Sequence, residues 1–201
     1  MKITTEQELV DLYGQPSERA QKKSIAQLDK HAKHFIETSP FMLLATFDVA
    51  GKMDASPRGG KPGFVKVQGE NKILIPDAKG NNRLDSLKNI VHTGQIGALF
   101  LIPGIDETLR LNGSAYISTD EVLLASFPEE RITPKTCIVI EIEEVFLHCA
   151  KAFMRSKLWS EEAKLKRSEF PTMGEILRDQ LGGTGKLETQ EEMVERYNRD
   201  I

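Results

Sequence analysis

The spacing of apolar residues changes character twice along the chain, and the changes divide it into three parts. In the first part, Ile25, Leu28, Ala32, Phe35 and Ile36 recur at steps of three and four, the spacing of one helix face. Thr4 and Thr5 precede Gln7 and Glu8 at capping-box spacing, and Pro16-Ser17 restarts the pattern, so residues 4–38 read as helix. Ser39-Pro40 ends it, because the residue before proline avoids the helical region.

From Phe41 the pattern becomes that of strands. FMLLATF (41–47), FVKVQ (64–68), KILI (72–75), QIGALFLI (95–102), TLRLNGSAYI (108–117) and CIVIEIEEVFLH (137–148) are short apolar or alternating runs. Several are joined by tight turns such as Asp48–Gly51 and Gly69-Glu70-Asn71, which favours an antiparallel sheet or barrel of about six strands. A helix from Asn82 to Thr93, with Leu84, Leu87, Ile90 and Val91 on one face, stops at Gly94. Ser118 and Glu121 cap a short one before Val122. After Cys149 the strand pattern ceases; capping boxes at Thr172/Glu175 and Thr189/Glu192 open two last helices. The fold class is therefore mainly β (β+α), with a helical flank 1–40, a β core 41–148 and a second helical flank 149–201.

Composition narrows the function. The chain has 201 residues, 28% charged, with net charge −3 and a pI of about 5.9. An acidic balance argues against a general nucleic-acid or membrane-surface binder, and no run of 18 apolar residues is present. Cys137 and Cys149 are too few for a disulfide framework; with no signal peptide, a reducing cytoplasmic setting is the expectation.

Three segments depart from what a plain core requires. Asp54–Gly60 is polar, holds one proline and two glycines, and lies between two strands; Arg58 there suits a phosphate or carboxylate, against the simpler reading of a solvated loop. Ile75–Asp85 runs from a strand end through a glycine turn to a helix start, where free N–H groups and Arg83 offer a second anion site. His148–Trp159 follows the longest strand. From Lys151 to Arg167 six basic residues face two acidic ones, and Lys151 and Arg155 share a helix face with Trp159 one turn on. This is either a snorkelling amphipathic helix or a face that binds anions and rings. Gly182–Lys186 lacks the residues of a P-loop, and His31/His34 have no third ligand at metal spacing.

The blocks SPRG (56–59), LIPDAKGNNRLDSLKNI (74–90), LFLIPG (99–104), ETLRLNG (107–113) and HCAKAFMRSKLW (148–159) resemble the pyridoxamine 5'-phosphate oxidase-like flavoproteins, in particular their probable FMN-dependent enzymes, over about residues 20–165. The resemblance implies a six-stranded antiparallel split β-barrel that forms a homodimer with FMN at the interface. It places Ser56, Pro57, Arg58 and Gly59 along the flavin and Ile75, Pro76 and Asp77 beside its ring. Asn82 and Arg83 fall on the phosphate, and Thr108, Arg110, His148, Lys151, Arg155 and Trp159 complete the pocket, some from the partner. It further implies an oxidoreductase acting on a small molecule, with NAD(P)H as a candidate electron donor and His148 as the best candidate for a catalytic group. The Trp- and Arg-rich final strand of the true pyridoxamine phosphate oxidases is replaced here by a charged helix, LETQEEMVERYNRDI, which argues against vitamin B6 as substrate. The alternatives are a flavin-binding or sensing protein without turnover, and a split-barrel binder of haem or deazaflavin.

Overall fold

The computed structural model describes residues 2–77, 80–128, 130–182 and 187–199. Three short helices come first: α1 (Glu6–Tyr13), α2 (Glu18–Lys22) and α3 (Lys30–Thr38). The helical reading of 4–38 is therefore corrected. Residues 23–29 leave the helix because Ile25 pairs with Val145 as a β-bridge, and Asp29 then caps α3 through the N–H groups of His31 and Ala32. Of the apolar stripe, Ala32 and Ile36 are the buried positions of α3, while Leu28 is buried just before it.

The core is one antiparallel sheet of seven strands: β1 (Phe41–Phe47), β2 (Met53–Gly59), β3 (Lys66–Gln68), β4 (Lys72–Pro76), β5 (Gln95–Leu101), β6 (Thr108–Ser118) and β7 (Cys137–His148). Their order is β2-β1-β5-β6-β7-β4-β3. The seventh strand, absent from the sequence reading, is β2. Pro57 is tolerated because β2 is an edge strand and its partner β1 lies on one side only. The sheet curls around a core that includes Met42, Leu44, Phe100, Leu111, Ile138 and Ile140, all fully buried. It does not close, since β2 and β3 are both ends of the order, so this is a split barrel.

Helix α4 (Asp85–Thr93) packs across β1 and β2. It begins three residues after the Asn82 start expected from sequence. Asn82 and Leu84 both take left-handed backbone, at φ 58° and 60°, and Leu84 stands at the N-cap with no side-chain cap. Helix α5 (Glu121–Leu124) is capped by Asp120, not Ser118. Beyond β7 come α6 (Lys151–Ser156), α7 (Met173–Leu181) and α8 (Gln190–Tyr197). The capping boxes at Thr172 and Thr189 form as read. The rejected P-loop stretch, 183–186, falls outside the described residues. Among the described residues no helix is long and apolar enough to cross a membrane.

Candidate functional site

Alternation along β2 turns Asp54, Ser56 and Arg58 inward and leaves Met53, Ala55, Pro57 and Gly59 exposed. The inward row, the end of β4, the loop into α4 and the segment 130–135 enclose a cavity of about 760 Å³ at the split. That is within the roughly 300–1,000 Å³ of small-molecule sites. Its wall holds Ser56, Pro57, Arg58, Gly59, Pro76, Asp77, Asn82 and Arg83, eight of the residues singled out in the sequence. Ile75 is not among them: it is fully buried in the core.

The cavity carries charge of both signs. Arg58 donates to Ser56 Oγ and to the Pro57 carbonyl. Burial lowers its pKa, and the carboxylates of Asp77 and Asp54 offset this in part. Burial raises the Asp77 carboxyl, against the pull of Arg58. Arg58 and Asp77 make no ion-pair contact, and desolvation outweighs their attraction on both sides. Arg83 pairs with Asp85, and its N–H donates to Asn81 Oδ1 at 3.1 Å. Lys135 adds a third cation and Glu130 a further acid.

Beneath the cavity lies a polar chain that the sequence reading missed. Ser86 Oγ donates to Asp54 Oδ2 at 2.6 Å, Thr46 Oγ1 contacts the same oxygen at 3.5 Å, and Asn89 Nδ2 donates to Thr46 at 3.0 Å. Thr46, Ser86 and Asn89 are buried. Buried polar groups joined in this way hold one arrangement, here the docking of α4 on β1 and β2. The one sequence signal for Asp54 is its place two residues before Ser56, on the same face of the strand.

The other six candidates lie elsewhere. Thr108 pairs with His148, and Arg110 with Phe146, across β6 and β7. Arg110 is on the outer face of the sheet, in a cross-strand row with Leu99, Leu43 and Pro57. His148 and Phe146 lie at the far end of β7 from Cys137, the residue that pairs with Pro76 at the cavity. Lys151 and Arg155 lie on α6, as the spacing required. Trp159 does not continue their face, because α6 ends at Ser156 with Lys157 left-handed. The indole instead stacks on Phe153, with centroids 5.4 Å apart, and donates to the Ile105 carbonyl at 3.0 Å. A single chain thus brings one group of candidates to the cavity and leaves the other six off its walls.

An open antiparallel barrel with a mixed-charge cavity at its split belongs to the class of split barrels. Within that class, the family model described as pyridoxamine 5'-phosphate oxidase matches residues 28–149, more than half of the chain, and the protein belongs to that family. Among solved structures, the tagged HupZ protein of Group A Streptococcus is similar, with a TM-score of 0.51 at 18% identity over 60% of this chain and 93% of that one. A pyridoxamine 5'-phosphate oxidase candidate from Lactobacillus delbrueckii has a TM-score of 0.48 at 17% identity, over 61% and 95%. At such identities the likeness is one of fold. No curated protein matches the sequence.

Proposed function

We propose that the protein is an FMN-binding oxidoreductase that acts on a small molecule as a homodimer. The observation that carries this reading is the cavity at the split, which combines Arg58, Arg83 and Lys135 with the uncapped N-terminus of α4. The residues fit a planar ligand with an anionic end. Arg83, Asn82, Lys135 and the first-turn N–H groups of α4 would hold the phosphate, where the helix dipole favours negative charge. Ser56, Arg58 and the β2 backbone would lie along the ring, with Pro76 and Asp77 at its border. Bound FMN supplies two-electron redox chemistry; the chain orients it and sets the charge around it. None of the four histidines lines the cavity within one chain.

The dimer is supported by the outer face of β2, β1 and β5. Phe41, Phe47 and Met53 are 37%, 37% and 68% exposed. They adjoin Leu43, Ala45, Ala55, Pro57, Leu99 and Leu101 in register on the same face. A continuous apolar sheet face of this kind calls for a cover. Arg110 shares that face, so a second copy seated on it would bring the Arg110–His148 group toward the partner's cavity.

Titration of flavin-free protein with FMN, followed by flavin fluorescence, should saturate at one FMN per chain. Light scattering should give twice the chain mass of 22.5 kDa. A monomer, or a protein that leaves FMN free in solution, would overturn the proposal.

A further inference from the structure

Strand β4 covers β7 only from Cys137 to Glu141, so the far half of β7 has an open edge. The segment between α2 and α3 fills it. Ile25 N–H donates to the Val145 carbonyl at 3.0 Å, Val145 N–H donates to the Ile25 carbonyl at 2.8 Å, and Ser24 Oγ donates to Glu144 Oε1 at 2.8 Å. These bonds fix the neighbouring Lys23. Its Nζ donates to the Leu147 carbonyl at 3.0 Å and stands 4.8 Å from the centroid of the Phe146 ring. The Arg110 guanidinium is 5.6 Å from that centroid, and the His148 ring is 4.9 Å from it.

Three basic groups from three parts of the chain therefore share one aromatic platform. The nearest acid on the strand, Glu144, has its second oxygen occupied by Asn112 Nδ2 at 2.6 Å. Among the described residues neither Lys23 nor Arg110 has an ion-pair partner. Burial, then the charges of Lys23 and Arg110, hold His148 below the ordinary imidazole value, as expected where positive potential has no counter-ion. Like charges held together by backbone and ring contacts form a site for a shared anion.

We propose that Lys23, Arg110 and His148 form an oxyanion site on the Phe146 platform, completed by the N-terminal segment, for the carboxylate or phosphate of a small ligand. The site stands on the geometry of one chain. Its assignment to the substrate rests on the dimer reading above, in which this face meets the partner's cavity.

The test is NMR of histidine-labelled protein, whose four imidazoles are few enough to follow singly. The His148 signal is identified by its loss in His148→Gln. Inorganic phosphate and benzoate serve as probes, and the one that saturates at lower concentration names the preferred oxyanion. A saturable shift confined to His148 is expected. Lys23→Gln should weaken it roughly two- to fivefold, the loss of one charged contact at an exposed position. Lys23→Gln with Arg110→Gln should abolish it while the other three imidazole signals stay in place, which shows that the fold is kept. A linear response, or one unchanged in the double variant, overturns the site. Flavin content and light scattering on the same samples report the cofactor and dimer reading separately. A saturable His148 response in a flavin-free monomer supports the site and overturns only its assignment to a substrate.

Discussion

Gly113→Ala should destabilise the barrel more than any substitution at an open glycine. Gly113 sits where the β6–β7 register slips, from Asn112 opposite Glu144 to Gly113 opposite Ile142. The residue left over, Glu143, makes a bulge that lets both Ile142 and Val145 face the core although they are three apart. A Cβ on Gly113 would stand 2.1 Å from the Glu141 carbonyl oxygen, 3.1 Å from its carbon and 3.3 Å from Ile142 Cα. Ordinary C···O contacts begin at about 3.3 Å, so the strands would have to part by about 1 Å. All three neighbours are backbone in the middle of the sheet, with fully buried Ile140 beside them. Overpacking costs about 1–3 kcal/mol where side chains can adjust, and the upper end applies here. For a chain of this size about 3 kcal/mol lowers the melting temperature by roughly 6–12 °C. Circular dichroism melts of Gly113→Ala, with Gly80→Ala as control, test this; a Cβ at Gly80 meets nothing within 4 Å. A Gly113→Ala midpoint within about 1 °C of the parent would refute the reasoning.

Arg83→Ala should weaken FMN about ten- to hundredfold, the value of one charge-assisted phosphate contact, with stability unchanged within about 0.5 kcal/mol, since the side chain is 76% exposed. An unchanged Kd in fluorescence titration would contradict it. Asp77→Asn should raise the denaturation midpoint at neutral pH. Burial lifts the Asp77 carboxyl above its ordinary value, so its contribution is present at low pH and lost as pH rises through the folded-state value. A less stable Asp77→Asn at neutral pH would contradict this. His148 is depressed, so its contribution is present above the unfolded value near 6.5 and lost as pH falls through the folded-state value. Urea midpoints across that window should fall less steeply in His148→Gln, and equal slopes would count against the assignment.

Much of the fold was legible because it rests on local pattern. The six runs with strand character all contain strands, and the caps at Thr5, Thr172 and Thr189 form because their partners are three residues away. What escaped depends on distant partners. β2 is polar and contains Pro57, and its strand state comes from pairing with β1 along an edge. Ile25 fits a helix face locally, but the open edge of β7 draws it into a bridge. The α4 start shifted because Leu84 adopts left-handed backbone, which no capping residue announces. At the cavity, Ser56, Arg58 and Arg83 were legible as small or basic residues within three positions of a glycine. Thr46, Ser86 and Asn89 look like ordinary polar positions until three elements meet. Lys23 was unreadable for the same reason, being 124 positions from the carbonyl it binds.

The central claim, that the cavity at the split holds FMN, is tested most directly by the absorbance spectrum of the purified protein together with mass spectrometry of the ligand released on denaturation. The account predicts the two visible bands of an oxidised flavin and FMN as the released species, near one per chain. A Soret band, or FAD as the main species, would contradict it.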